Sequence, residues 1–98
     1  MKFNLKNKGG NIVTLGREIG YIFQREASEN KASLVRPFGR SGYPRFHLYL
    51  EVGEELTFNL HLDQKKPVYN TVHDHAAEYD GRLVEEETER IKGLLLSP

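Results

Sequence analysis

The chain has 98 residues, with fourteen basic and fourteen acidic side chains, four histidines and neither cysteine nor tryptophan; a chain this short builds one core, so a single domain over 1–98 is expected. Without cysteine there are no disulfides, thiolate nucleophiles or thiolate zinc ligands, and any metal has to be held by histidine and carboxylate. The zero net charge argues against a general nucleic-acid coat, yet it divides along the chain: residues 1–50 hold nine Lys/Arg against three Glu, and residues 51–98 hold five against eleven acidic groups.

No apolar run approaches the roughly 18–20 residues that span a bilayer. The opening stretch Met1 to Gly10 carries Lys2, Lys6 and Lys8 without the apolar middle of a secretory signal. A cytoplasmic location without a membrane partner is the expectation. Residues 1–10 read as an N-terminal arm, jointed at Gly9-Gly10 and anchored at most by Phe3 and Leu5.

Asn11 stands before Ile12, Leu15 and Ile19 at helical spacing, and Gly20 follows. Asparagine is a favoured N-cap and glycine a favoured stop, so the spacing predicts a short helix over 11–19. Gly16 inside it costs about 1 kcal/mol relative to alanine. Tyr21 to Arg25 and Ser33 to Arg36 flank the polar stretch 28–31 and read as a hairpin, ended by Pro37, which has no amide hydrogen for a ladder. Phe38 to Pro44 is a loop.

Arg45 to Val52 and Leu56 to Asp63 both alternate strictly. Joining their apolar rows outward from the turn at Gly53 pairs Val52 with Leu56, Leu50 with Phe58, Leu48 with Leu60 and Phe46 with Leu62. A one-residue slip would turn every apolar side chain to water. On the opposite face this register sets Tyr49 across from Asn59 and His47 across from His61. Lys65 to Asp80 reads as a long connection. Asp80 then caps a helix with Glu85, Glu86 and Glu87 near its positive end, a stripe of Val84, Thr88, Ile91 and Leu95 with Leu83 and Leu94 beside it, and an i,i+4 pair between Glu86 and Arg90. The order α-β-β-β-β-α predicts an α+β fold in two layers: a mainly antiparallel four-stranded sheet, both helices on its apolar face, and a polar second face.

All four histidines lie between residues 47 and 75. His47 and His61 project from the polar face, with Asp63 two residues further on the same side. His73 and His75 sit in the connection with Glu78 after them. If that segment folds back, His61, Asp63, His73 and His75 supply nitrogen and oxygen ligands for zinc or another divalent metal, with His47 as a further ligand or catalytic partner and Glu78 as general base. Such a site suits hydrolysis of a phosphodiester or another small substrate. A metal-free reading pairs the two strand histidines as general base and general acid. In a bland reading they are a solvated cross-strand pair.

The alternative function is a non-catalytic single-stranded nucleic-acid-binding or protein-interaction module. Lys31, Arg36, Arg40 and Arg45 lie around the 38–44 loop with Tyr43 and Tyr49 near them, and cations among aromatic rings suit phosphates and stacked bases. The free edge of the sheet offers a homodimer contact.

The blocks GYPRFHLYL (Gly42 to Leu50), FNLHLDQKKPVY (Phe58 to Tyr69), HAAEYDG (His75 to Gly81) and VEEETERIK (Val84 to Lys92) resemble a family of short hypothetical proteins from candidate-phylum bacteria, over about residues 12–93. The resemblance implies a free-standing cytoplasmic bacterial protein. It points to the positions of His47, His61, Asp63, His75, Glu78, Tyr79 and Asp80, and it carries no activity or catalytic role onto the chain.

Overall fold

The computed structural model describes residues 1–64 and 81–96 and the backbone of 77–78. The elements are β1 (Lys2–Lys6), α1 (Ile12–Ile19), β2 (Ile22–Ser28), β3 (Lys31–Pro37), β4 (Arg45–Val52), β5 (Glu55–Asp63), β6 (Ala77–Glu78) and α2 (Arg82–Leu96). Every pairing is antiparallel, in the order β1-β5-β4-β3-β2, and β6 takes the edge of β5 beyond the end of β1. The fold is α+β, one sheet with both helices contributing to a core on one of its faces.

The central hairpin has the register that alternation demands: Val52 faces Leu56, Leu50 faces Phe58, Leu48 faces Leu60, Phe46 faces Leu62, and His47 faces His61. Leu48, Phe58 and Leu60 are fully buried. α1 is capped as its ends predict. Asn11 Oδ1 accepts from the Thr14 amide at 2.8 Å, and Gly20, at φ 82°, turns the chain so that its amide and that of Tyr21 reach Arg17 O and Gly16 O. Gly16, costly for the helix, lets α1 sit close on the sheet, since a Cβ there would lie 2.8 Å from Leu34 Cδ2.

The first ten residues are not an arm throughout. Lys2–Lys6 is an edge strand on β5, with Phe3 opposite Phe58 and their rings stacked 4.7 Å apart. Two apolar residues in five are too few to mark a strand by pattern. The strand forms because β5 otherwise presents an unpaired edge beside the exposed side of Phe58. At the other margin, β2 is an edge of the kind expected to offer a dimer contact. It carries register shifts at Phe23/Arg25 and Glu26/Ser28, and such bulges work against ladder pairing with a second copy.

In α2 the buried stripe is Val84, Glu87, Thr88 and Ile91, while Leu83 and Leu94 are exposed. The expected cap Asp80 lies outside the described residues. Glu87 does not serve the helix dipole from the surface. Its side chain is 2 % exposed and accepts from Tyr21 Oη (2.6 Å), from Arg90 Nε and Nη2 (2.7 and 2.9 Å) and from Arg36 Nη1 (3.3 Å). This overturns the expected Glu86–Arg90 pair, because the buried carboxylate needs the guanidinium more than an exposed one does; Glu86 instead bonds Arg82 at 3.0 Å.

Burial and then the hydrogen bond to Glu87 hold the Tyr21 hydroxyl far above its ordinary value of 10.0. A raised folded value means stability present below the unfolded value and lost as pH rises beyond it. Urea midpoints should therefore fall between pH 10 and pH 11 by up to about 1.4 kcal/mol per pH unit more in the wild type than in Tyr21→Phe. Equal falls in both would show that the tyrosine is not held in this way.

The two charge halves interleave. Lys31–Glu51 (3.8 Å), Arg36–Glu87 (3.3 Å) and Arg45–Asp63 (3.1 Å) each join a cation from the first fifty residues to an anion from the rest. No helix among the described residues is long and apolar enough to cross a membrane.

Candidate metal centre

Strict alternation on β4 and β5 places Arg45, His47 and Tyr49 on the polar face beside Asp63, His61 and Asn59. His47 and His61, directly opposed, have ring centroids 4.7 Å apart. Asp63, opposite Arg45 and one pair along, reaches both: its Oδ2 lies 3.2 Å from His47 Nδ1 and its Oδ1 lies 3.0 Å from His61 Nε2. Arg45 Nε donates to Oδ2 at 3.1 Å and holds the carboxylate in place. The side chains are 12 %, 8 % and 14 % exposed for His47, His61 and Asp63, too dry for a simple solvated pair.

Burial is the first cause that lowers both imidazoles below their ordinary value of 6.5, and it outweighs the attraction of Asp63. Both rings are neutral at pH 7. A neutral imidazole keeps one lone pair for a metal. For His47 the other nitrogen is engaged: Nε2 lies 2.6 Å from Ser33 Oγ, which lies 3.1 Å from Gln24 Oε1. The Ser33 hydroxyl donates to Gln24 and is thereby open to accept from His47 Nε2–H, the tautomer a cation at Nδ1 requires; without a cation, the contact of Nδ1 with Asp63 Oδ2 at 3.2 Å is a hydrogen bond when Nδ1 carries the proton.

The three ligand atoms lie within 4.8 Å of one another. Bonds of about 2.1 Å to zinc give a tetrahedron with edges of roughly 3.4 Å, inside the 4.8 Å bound on these atoms; the 3.0 and 3.2 Å separations run to different oxygens of Asp63 and are hydrogen-bond lengths. Ser33→Ala should weaken zinc binding about 10–100-fold by freeing the ring, with little change in melting temperature, measured by competition with a chromophoric chelator. Unchanged affinity would show that Ser33 does not orient His47.

The structure thus brings together His61 and Asp63 as expected, with His47 beside them in the position of the further ligand. His73 and His75 lie outside the described residues. Glu78 stands opposite the core residue Leu62 in the backbone register, a core-face position, while Ala77 takes the polar-face position opposite Asp63, so the register does not bring Glu78 to the site as expected; its side chain lies outside the described residues. The basic cluster does not assemble. Arg36 turns to the helix side and bonds Glu87, Lys31 pairs with Glu51 at the other end of β3, and Arg45 is engaged by Asp63 and lies 4.5 Å over the Tyr43 ring. Arg40 is exposed in the loop and Tyr49 on the sheet, so the expected residues share no single face.

Ser33 and Gln24 were not legible as site residues. Ser33 has the right parity on β3, but its position opposite Tyr49 is set by the β3–β4 register, for which the loop of 38–44 offers no turn rule. Comparison with known proteins adds no identity to this geometry: no protein family, curated protein or solved structure matches the chain.

Proposed function

We propose that the protein binds one divalent metal ion, zinc by the chemistry of its ligands, through His47, His61 and Asp63, and that the site is hydrolytic toward a small phosphate ester. The observation that carries this reading is the convergence of two neutral, buried imidazoles on one carboxylate at 3.0 and 3.2 Å. Two histidines and one carboxylate are a ligand set of catalytic zinc sites, which keep a fourth position for water and bring its pKa to about 7. Arg45 donates to the carboxylate and aims it, and Ser33 with Gln24 engages His47 Nε2.

The metal-free acid–base reading has less support, since it needs one imidazole protonated and burial lowers both. Protein purified without a polyhistidine tag should carry about one equivalent of metal by elemental analysis. After chelation, zinc at a hundredfold excess over its dissociation constant should add about 2.7 kcal/mol of stability. That corresponds to a rise in melting temperature of roughly ten to twenty degrees for a domain of this size. No bound metal and no shift with zinc or manganese would remove the reading.

A further inference from the structure

The polar face holds a second feature beside the candidate metal centre, and it begins with an irregularity in β2. Phe23 stands opposite Leu34 on the core side, and alternation would send Arg25 to the core side as well. Instead Arg25 stands opposite Ser33, because Gln24 is an extra residue in the ladder. The bulge re-aims the arginine onto the polar face, next to Gln24. Gln24, Arg25, Ser33, His47 and Tyr49 together line a groove of about 310 Å³. A second groove of the same volume shares Arg25, Ser33 and Tyr49 and runs on to Asn59 and Lys2.

Three properties of this groove define a ligand. Its first part is lined by no carboxylate, and Arg25 has no ion pair among the described residues. An unpaired guanidinium beside the Gln24 amide suits a phosphoryl group, while the Ser33 hydroxyl is engaged by Gln24 and His47. Glu51, in the second part, is occupied by Lys31 at 3.8 Å. The Tyr49 ring stacks against His47 at 4.6 Å and 26° and against His61 at 5.7 Å and 25°, while the residue stays 46 % exposed. Held from the side of the cluster, it is a fixed platform for a planar group. The volume lies at the low end of small-molecule sites, which favours one nucleotide-sized ligand over a polymer.

We propose that this groove binds a small phosphate ester carrying a planar aromatic group, a mononucleotide or a molecule of like chemistry, with the phosphoryl on Arg25 and the ring on Tyr49. Arg25 and Tyr49 are two strands apart, about 10 Å, so a ligand with a sugar-sized spacer between anion and ring touches both. His47 belongs to the groove and to the candidate metal centre alike, and with the phosphoryl on Arg25 it is the ring end of the ligand that lies beside it. Binding in the groove stands on Arg25 and Tyr49 alone; only turnover of the ligand rests on the proposed metal centre.

The test is calorimetric titration of the full chain, after chelation and again with zinc, using adenosine 5′-monophosphate, uridine 5′-monophosphate, 4-nitrophenyl phosphate, adenosine, inorganic phosphate and a ten-nucleotide single strand. At least one of the three aromatic phosphates should bind chelated protein tenfold or more tighter than phosphate or adenosine. Arg25→Ala should weaken that ester at least tenfold and leave adenosine unchanged; Tyr49→Ala should weaken both, with melting temperatures near wild type for each variant. No binding by the three esters, binding that ignores Arg25→Ala, or binding seen only with zinc would overturn the proposal. An oligonucleotide affinity above the mononucleotide's by more than its number of sites would replace it with a polymer site. Ester binding retained in a protein that takes up no zinc would sink the metal reading and leave this one standing.

Discussion

Asp63→Asn is expected to abolish zinc binding at the candidate centre, with affinity falling at least a hundredfold, or about 2.8 kcal/mol. The amide keeps the shape and removes the charge. Asp63 is the carboxylate that reaches both histidines among the described residues, with Oδ2 toward His47 and Oδ1 toward His61, so no single histidine variant should do as much. The metal-free protein should suffer too. Arg45 is 16 % exposed and its hydrogen bond from Nε to Oδ2 would lose its charged acceptor, at a cost of about 1–3 kcal/mol once partial solvation is allowed for. The two effects separate cleanly: urea midpoints of chelated protein report the second, and the zinc-induced increment in midpoint reports the first. A variant that keeps the wild-type increment would show that the three residues form a structural cluster and hold no ion.

The second large effect lies on the other side of the sheet. Glu87→Leu should destabilise the domain by about 3–5 kcal/mol, a large share of the 5–15 kcal/mol typical of native proteins. At four to eight degrees per kcal/mol, the melting temperature drops by roughly 12 degrees or more. Removal of the carboxylate leaves the Tyr21 hydroxyl buried without its acceptor and strands two guanidiniums that converge on one point, Arg90 at 2.7 and 2.9 Å and Arg36 at 3.3 Å. Arg90 also donates to Ile19 O at 2.6 Å, so the network ties α2 to the C-terminal end of α1. Adding Tyr21→Phe to Glu87→Leu should cost nothing further, or recover part of the loss, because the orphaned hydroxyl goes with it. Additive losses, read from urea midpoints of the two single variants and the double variant, would show that the tyrosine and the glutamate act independently.

Both networks show where a linear reading reaches its limit. Period-2 alternation over eight and nine residues set the β4–β5 register, and that register placed His47 against His61 with Asp63 beside them. No long-range information was needed, since a single slip would have exposed Phe46, Leu48 and Leu50 together. Glu87 could not be read in this way. Among Glu85, Glu86 and Glu87, which one turns inward depends on the rotation of α2 about its axis, and that is decided by what lies beneath: Tyr21 and Arg36 of β3. The same holds for β1. Its two apolar residues become a strand only because β5 has a free edge and Phe58 a free face.

The opening balance of charge ends the same way. By itself the sequence determined the α+β class, both ends of α1, the central hairpin and the sharing of one polar face by two histidines and an aspartate, because each of these follows from local caps or a short period. Only the tertiary structure decided that three cations of the basic first half pair with anions of the acidic second half, across β3, β4, β5 and α2. It also decided that Arg36 leaves the expected basic patch and that a bulge brings Arg25 to the polar face in its place. The physical reason is that strand parity and helix caps are settled by neighbours in sequence, whereas ion pairs, bulges and the rotation of a helix are settled by which distant side chains share the same few ångströms.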